Sequence, residues 1–255
     1  MFRKLLIANR GEIAVRIIKA CQQLNIQTVA VCSTADRHAG YTQLADEVLC
    51  IGPAAASGSY LNAEAILMAA INTHADAIHP GYGFLAENAD FAAMCAECGI
   101  AWIGPQTEQI KLMGDKARAK DFARQQAVPV LAGQSLQGLA WPDIKHAAAK
   151  IGFPLVLKAS YGGGGKGIRV LTDVHELHQQ LRATRQEAAA SFLNDAMYLE
   201  QFLTTARHIE VQVLGTGTKL FILGDRDCSL QLHKQKVLEE SPASILTETQ
   251  RRTLY

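Results

Sequence analysis

The sequence predicts an α/β protein that opens with a doubly wound parallel sheet and continues with an α+β region built on an antiparallel sheet. Up to residue 103, strand-length apolar runs alternate with stretches that carry apolar residues at helical spacing. From residue 154 onward, strand-like runs follow one another around a single long polar helix. The 49% hydrophobic content and the net charge of +1 are typical of a globular protein rather than a disordered one.

The predicted strands of the first region are continuous apolar or mixed runs, which indicates burial on both faces, as in a parallel sheet. They span Lys4–Ala8, Thr28–Cys32, Glu47–Ile51, Asp76–His79 and Ala101–Ile103. Helices are predicted between them over Glu12–Leu24, Asn62–Thr73 and Ala86–Cys98. The parallel strands are therefore expected to be joined by helical crossovers.

Ligands of such sheets collect at the carboxyl ends of the strands. Polar segments rich in Gly and Pro follow three of the predicted strands, at 9–12, 79–83 and 104–105. Only one glycine follows the first strand, so the dinucleotide-binding fingerprint is absent. A nicotinamide-dependent enzyme is therefore disfavoured.

The second region begins with a predicted helix over Asp115–Gln126, and the Gly- and Gln-containing segment Ala132–Pro142 is interpreted as a connection. Further helices are predicted over Asp143–Ile151 and Asp173–Ser191. Strands are predicted over Pro154–Ala159, Ile168–Leu171, Met197–Phe202, His208–Leu214 and Leu220–Leu223. The last residues have the pattern of a helix.

The composition points to a cytoplasmic protein without membrane or nucleic-acid partners. No apolar run reaches the roughly 18–20 residues of a membrane span. The apolar start ends at Asn9, short of an export segment, and no Lys/Arg-rich block is present. The six cysteines lie mostly in apolar segments, which is typical of reduced core residues. Cys95 and Cys98 have metal or redox spacing but no second pair, so we interpret them as structural residues on one helix face.

Four consecutive glycines, Gly162–Gly165, form the most informative segment. Such a run has high backbone entropy and no side-chain packing, so it is a poor choice unless the backbone must approach a ligand closely or move. Lys158, Lys166 and Arg169 place positive charge around it. A Walker loop is excluded because Gly167 stands where Ser or Thr is required. We predict a mobile lid over nucleotide phosphates in preference to a flexible hairpin turn.

A second cluster spans 225–242 and combines two Asp, one Arg, two Lys, one His, two Glu and two Gln. Two interpretations stay open from spacing alone. One is a solvated charged loop, the default for such charge density. The other is a site that handles anionic substrates and a metal-nucleotide.

Five segments closely resemble the biotin carboxylase family, in the same order and from one end of the chain to the other. They are Ile7–Arg16, Ala77–Asn88, Leu112–Lys116, Lys158–Gly167 and Glu239–Pro242. The family includes the biotin carboxylase of bacterial acetyl-CoA carboxylase and the corresponding modules of propionyl-, methylcrotonyl- and pyruvate carboxylases. The resemblance implies an ATP-grasp protein with an N-terminal α/β domain over 1–114. A linker helix and a lid domain would cover 115–205, and the C-terminal ATP-grasp subdomain would begin over 206–255.

The resemblance also implies an activity. In this family ATP activates bicarbonate to carboxyphosphate, and the carboxyl group passes to the ureido nitrogen of biotin on a carrier. Phosphorylation gives bicarbonate the leaving group that it lacks, and the transfer needs cations around the phosphates. The implied cofactors are ATP, Mg²⁺ or Mn²⁺, and carrier-bound biotin. The implied partners are bicarbonate, the biotin carboxyl carrier domain or protein, a carboxyltransferase subunit and a second copy of the chain.

The family motifs assign roles to individual residues. Lys236 matches the lysine associated with bicarbonate and is the implied catalytic residue. The implied ATP-binding residues are Lys116, Lys158, Gly163, Gly164, Gly165, Glu200, Gln201, Leu203, His208, Gln231 and Lys234. The two lysines at 116 and 158 would bind phosphates, and the glycines would cover them. Metal ligands of this family come from sequence after residue 255, so none is expected within this chain, and the chain alone is expected to be inactive.

Four positions depart from the family pattern. Gln201 replaces a lysine, Leu232 and His233 replace two arginines, and Lys234 replaces a histidine. An ammonium group does not reproduce the hydrogen-bonding geometry of imidazole or guanidinium. Two alternatives therefore stay open: another ATP-grasp ligase, such as one half of a carbamoyl phosphate synthetase, or a non-catalytic homologue. Helix Glu12–Leu24, with Arg16, would either form a dimer contact or pack its apolar side on the core.

Overall fold

A computed structural model of the chain describes residues 2–160, 168–192, 195–232 and 235–255. The contacts divide the chain into two compact units, Met1–Asp115 and Lys116–Tyr255. The predicted lid glycines Gly163, Gly164 and Gly165 lie outside the described residues, as do His233 and Lys234.

The first unit contains a five-stranded parallel sheet with the order β3-β2-β1-β4-β5. The strands are β1 (Lys4–Ile7), β2 (Gln27–Ser33), β3 (Glu47–Gly52), β4 (Ala77–His79) and β5 (Ala101–Trp102). The direction of winding reverses between β1 and β4, so their carboxyl ends form the topological switch point. The predicted doubly wound parallel sheet is confirmed.

Helices cover both faces of this sheet because successive strand residues point to opposite sides. They are α1 (Gly11–Gln23) on one face and α2 (Ala63–Asn72) and α3 (Ala89–Glu97) on the other, and α4 (Thr107–Gly114) follows in contact with α3. Leu5 and Ile7 pack with Ile18 of α1 in one core, whereas Leu6 packs with Phe91 of α3 in the other. The apolar side of α1 thus faces the core, as one of the two interpretations expected.

Helix α3 begins later than the sequence predicted. Its side-chain cap is Asn88, which accepts a hydrogen bond from the Phe91 N–H at 2.8 Å, so the preceding residues stay outside the helix. Cys95 is buried within α3, but Cys98 is the exposed C-cap residue. The helix thus ends one residue before Cys98, and the interpretation of both cysteines as structural residues stays a prediction.

The second unit contains a four-stranded antiparallel sheet with the order β6-β9-β7-β8. The strands are β6 (Gly133–Ser135), β7 (Leu155–Ala159), β8 (Ile168–Leu171) and β9 (Met197–Gln201). The helices of this part are α5 (Lys116–Gln125), α6 (Trp141–Ile151) and α7 (Val174–Phe192). Leu155, Leu157 and Leu199 of the sheet pack with Leu177 of α7 in its core.

The segment Ala132–Pro142 is not a simple connection, contrary to the sequence prediction. It contains β6, whose Gly-Gln-Ser sequence has no strand preference of its own and pairs with β9 through backbone hydrogen bonds. It also contains the first turn of α6, where Pro142 occupies an N-terminal position that tolerates its missing N–H.

A three-stranded antiparallel sheet follows, made of β10 (Ile209–Gly215), β11 (Leu220–Leu232) and β12 (Gln235–Glu240), with α8 (Glu248–Leu254) after it. The strand predicted to end at Leu223 continues to Leu232. Most of the charged cluster therefore lies on paired strands rather than in a loop, because its charges pair across the sheet. Glu210 and Arg226, for example, are register partners.

Among the described residues, no helix has both the length and the apolar character that a bilayer-spanning helix needs.

Candidate functional site

In the first unit, the polar segments at 9–12 and 79–83 meet at the switch point. The Asn9 side-chain amide donates hydrogen bonds to the carbonyl oxygens of Pro80 at 2.7 Å and Tyr82 at 2.8 Å. Gly81 lies between them with φ +65°, and a Cβ there would come within 2.5 Å of Ile13 and 2.8 Å of Asn9. Only glycine fits this close approach.

The segment 79–83 holds His79 in a fixed orientation and exposes Tyr82 to solvent. The Nδ1 atom of His79 accepts the Gly81 N–H at 3.0 Å, and burial lowers the pKa of this histidine, so the neutral ring is favoured. The Tyr82 hydroxyl donates to Glu12 at 2.8 Å, which raises the pKa of the phenol. Its ring is 65% exposed, so this strand end offers an anchored aromatic surface to solvent.

In the second unit, a buried carboxylate lies between two ammonium groups. Glu200 on β9 is 3% exposed and forms ion pairs with Lys158 of β7 and Lys120 of α5. We call these three residues the Glu200 cluster. Register places Glu200 opposite Val156 and Lys158 opposite Tyr198, so the side chains of Glu200 and Lys158 share one face of the sheet.

The Glu200 cluster carries a formal net charge of +1 when all three groups are ionised. Burial, and then the positive charges of Lys158 and Arg124, lower the pKa of Lys120 to about 8. Lys116 begins α5 and lies four residues before Lys120, so both lysines project from one side of the helix. This arrangement suits a polyphosphate, because closely spaced cations are stabilised when an anion joins them.

A second ionic group lies on the three-stranded sheet. We call Glu210, Arg226 and Lys236 the Glu210 cluster. Nε and Nη2 of Arg226 lie 2.7 and 2.6 Å from Oε1 of Glu210, and the Lys236 ammonium pairs with Oε2. The Lys236 ammonium, and then Arg226, lower the pKa of Glu210 to about 2. In return, the hydrogen bond with Glu210 raises the pKa of Lys236.

His208 and Gln231, both predicted to contact ATP, lie beside the Glu210 cluster. The Gln231 amide nitrogen is 2.8 Å from His208 Nδ1 and also donates to the Cys228 carbonyl oxygen at 2.9 Å. His208 Nε2 lies 3.8 Å from Glu210 Oε2, and Gln231 is the register partner of Lys236. The structure therefore brings together His208, Gln231 and Lys236, three residues to which the family resemblance assigns roles.

A polar cavity of about 380 Å³ opens at this place. Its lining residues are Ala206, Arg207, His208, Ile209, Ser229 and Gln231. Arg207 pairs with Asp227 at 3.2 Å, and the Ser229 hydroxyl accepts the His208 N–H at 2.9 Å. The cavity therefore offers fixed donors and a cation to an anionic or polar ligand.

Gln201 and Leu203, two of the implied ATP-binding residues, follow Glu200 in sequence, and their side chains lie at the surface. Gln201 is the last residue of β9, and its N–H donates to the Ala132 carbonyl oxygen at 2.9 Å. The Gln201 side chain is exposed, and Leu203 is 45% exposed. Glu200 points into the cluster while its successor points away, as the strand alternation requires.

The sequence interpretation missed Lys120 and Glu210, and it gave Arg226 no role beyond membership of the charged cluster 225–242. The spacing of one helical turn from Lys116 was the available signal for Lys120. Alternation with His208, the residue before β10, was the signal for Glu210. Arg226 lay in a segment without a strand prediction, and only the pairing of β10 with β11 places it opposite Glu210.

Among the described residues, one group has metal-ligand character: oxygens of Glu210 and Glu239 and the Cys228 sulfur lie within 4.8 Å of one another. Both oxygens of Glu210 already face the cations Arg226 and Lys236, and Arg226 also lies 3.5 Å from Glu239. A divalent ion would be repelled by these two side chains, so this group does not fit magnesium.

Comparison with known proteins places this geometry in a family. Residues 1–110 match the family described as biotin carboxylase, N-terminal domain, and residues 115–255 match the carbamoyl-phosphate synthase L chain, ATP binding domain. The chain is 52% identical over 259 aligned residues to a biotin carboxylase of Pseudomonas aeruginosa, with 100% of this chain and 57% of that protein covered. The chain belongs to the biotin carboxylase family.

Other members of this family are similar over the same range. The chain is 46% identical to the mitochondrial propionyl-CoA carboxylase alpha chain of Sus scrofa, covering 99% of this chain and 35% of that protein. The chain spans somewhat more than half the length, 55–57%, of the curated biotin carboxylases of Pseudomonas aeruginosa, Haemophilus influenzae and Bacillus subtilis that it matches.

Solved biotin carboxylase structures share the fold. A complex of the Campylobacter jejuni biotin carboxylase with a β,γ-ATP compound has a TM-score of 0.95 at 43% identity, covering 100% of this chain and 57% of that one. The biotin carboxylase domain dimer of Hydrogenobacter thermophilus 2-oxoglutarate carboxylase, with MgADP, ADP and bicarbonate, has a TM-score of 0.94 at 44% identity. It covers 99% of this chain and 56% of that one.

Proposed function

We propose that the protein to which this chain belongs is an ATP-dependent ligase that carboxylates biotin with bicarbonate. The observation that carries the proposal is the Glu200 cluster, in which a buried carboxylate orients two ammonium groups. Lys158 lies on the strand that directly precedes the glycine run Gly162–Gly165 in sequence. Oriented cations beside a glycine-rich segment are what phosphoryl transfer requires of a protein.

The first step of the proposed reaction is the binding of ATP along the second unit. Lys116, Lys120 and Lys158 would hold the phosphates. Because Glu200 already fixes two of these ammonium groups, little side-chain freedom is lost when the nucleotide binds. We also propose, from the family resemblance, that further residues contact the base, the ribose or the phosphates of ATP. They are Gly163, Gly164, Gly165, Gln201, Leu203, His208, Gln231 and Lys234.

The second step is the placement of bicarbonate at Lys236. The hydrogen bond with Glu210 raises the pKa of this lysine, so its ammonium form persists at neutral pH. Lys236 would therefore act as a cation that holds an anion, and not as a general base. When bicarbonate is activated to carboxyphosphate, the negative charge of carboxyphosphate would lie between Lys236 and the nucleotide site.

We propose the acceptor, the partner subunit and the metal of this reaction from the family resemblance. Carrier-bound biotin would accept the carboxyl group, a carboxyltransferase subunit would use it, and Mg²⁺ would accompany ATP. We place the magnesium ligands in the part of the relatives that this chain does not span, because the described carboxylates do not fit the ion. We also propose the division at residues 114 and 205, a cytoplasmic location, and a homodimer like the one described for the 2-oxoglutarate carboxylase domain.

The test is release of ADP by the full-length protein, measured with and without bicarbonate and biotin. Lys158→Met should lower kcat/KM for ATP by roughly a hundredfold, since charge-assisted contacts to phosphate are lost. Lys219→Met, in the exposed turn between β10 and β11, is the matched control and should leave the rate unchanged. A rate of ADP release that does not depend on biotin would indicate another ATP-grasp ligase. Failure to bind MgATP would leave the non-catalytic homologue, which the departures at Gln201 and Leu232 would explain.

A further inference from the structure

Two cysteines face each other on the outer strands of the parallel sheet. Cys32 of β2 and Cys50 of β3 are register partners. Neighbouring strands lie about 4.8 Å apart, which falls within the Cα separation of roughly 4.4–6.8 Å that disulfides span. The two thiols also lie close enough for each to influence the pKa of the other.

The two positions differ in access to solvent. Cys32 is 1% exposed and packs in the core beneath α1, whereas Cys50 is exposed. Strand β3 is at the edge of the sheet, and its pairing with β2 becomes irregular between Cys32 and Ser33. A small adjustment of this edge strand can therefore bring the sulfurs together without moving the centre of the sheet.

The surroundings give the two thiols different chemistry. A hydrogen bond with the Gly52 backbone, and then one with the Arg37 guanidinium, lower the pKa of Cys50. Burial raises the pKa of Cys32. The exposed sulfur is thus the better nucleophile at neutral pH, and the buried sulfur lies where it can react with an oxidised partner.

We propose that Cys32 and Cys50 form an oxidative modification site whose substrate is a hydroperoxide. The Cys50 sulfur attacks one peroxide oxygen, the O–O bond breaks, and Cys50 becomes a sulfenic acid while the leaving oxygen takes a proton. The Cys32 sulfur then attacks the Cys50 sulfur and loses its proton. The S–O bond breaks, and the hydroxide leaves with that proton as water.

The electron balance closes with one peroxide. Two thiols lose two electrons in forming one disulfide, and hydrogen peroxide is reduced to two water molecules. A small dithiol restores the two thiols by exchange through a mixed disulfide. The disulfide would tie the edge strand β3 to β2 at the end of the sheet where both strands finish.

The test treats the reduced full-length protein with hydrogen peroxide, blocks free thiols, and maps cross-linked peptides by mass spectrometry. We expect a Cys32–Cys50 cross-link that a dithiol removes. Cys50→Ser should abolish it. Cys98→Ser is the matched control, because Cys98 is the other exposed cysteine and should not affect the cross-link. Irreversible oxidation of Cys50 with no capture by Cys32 would overturn the proposal.

A second measurement does not require the buried residue Cys32 to react. Alkylation of Cys50 in the unmodified protein should be faster than that of Cys98 at neutral pH. Arg37→Met should slow the reaction of Cys50 by roughly three- to tenfold, as expected if its pKa rises by about half to one unit. Equal rates for Cys50 and Cys98 in the parent protein would contradict the proposed role of Cys50.

Discussion

The carboxylate of Glu210 on β10 reaches past β11 to the ammonium group of Lys236 on β12, and its other oxygen holds Arg226 on the strand between them. One acidic side chain thereby connects all three strands of the sheet. It also fixes the position of Lys236, the lysine at which we propose that bicarbonate binds.

Replacement of Glu210 by Gln should impair use of bicarbonate more than use of ATP. The neutral amide cannot hold two cations, so Lys236 loses its fixed position, whereas Arg226 keeps Glu239 as a partner. We expect kcat/KM for bicarbonate to fall by roughly tenfold, the size of one lost charge-assisted hydrogen bond. Steady-state kinetics with each substrate varied in turn checks this. An equal loss for both substrates would show that Glu210 only supports the fold.

The same ion pairs predict a pH dependence of stability. The pKa of Glu210 falls from 4.5 to about 2 on folding, so its stabilising contribution is complete above pH 4.5 and is lost as pH falls through about 2. The difference in melting temperature between the parent protein and Glu210→Gln should be constant near neutral pH. It should shrink as the pH is lowered below 4.5. A difference that grows on acidification would contradict this assignment.

Lys120 should prove to be a nucleotide-binding residue, although the family motifs did not single it out. With a pKa of about 8, its amine should react with an acylating reagent at pH 8 faster than exposed lysines do, and MgATP should protect it. Lys120→Met should weaken MgATP binding by roughly tenfold or more in calorimetry. Lys145→Met, on the exposed side of α6, is the control. Unchanged affinity in Lys120→Met would remove this residue from the proposed site.

Asp225 should be essential for the attachment of α8. This buried carboxylate accepts hydrogen bonds from the Ala243 N–H at 2.6 Å, and from Arg251 and the Tyr255 hydroxyl at 2.7 Å each. Asp225→Asn removes the charge that pairs with Arg251, so the melting temperature should fall clearly. Glu248→Gln, which removes an exposed carboxylate that pairs with Arg251 and Arg252 within α8, should have a much smaller effect. Thermal unfolding of both variants makes the comparison.

The parallel sheet could be predicted from the sequence because its strands are buried on both faces and its helices show a clear period. The strand β6 could not, since Gly133–Ser135 has no strand preference and depends on pairing with β9. The motifs supplied Lys158, Glu200 and Lys236 as single residues. Their partners Lys120, Arg226 and Glu210 come from other elements, and only the packing of helix on sheet and strand on strand brings them together.

The most direct test of the proposed function is transfer of labelled carbon from bicarbonate to biotin by the full-length protein. We expect labelled carboxybiotin that forms only when MgATP is present, and much less of it with Lys158→Met or Glu210→Gln. Hydrolysis of ATP with no label on biotin, by protein shown to be folded and to bind MgATP, would contradict it.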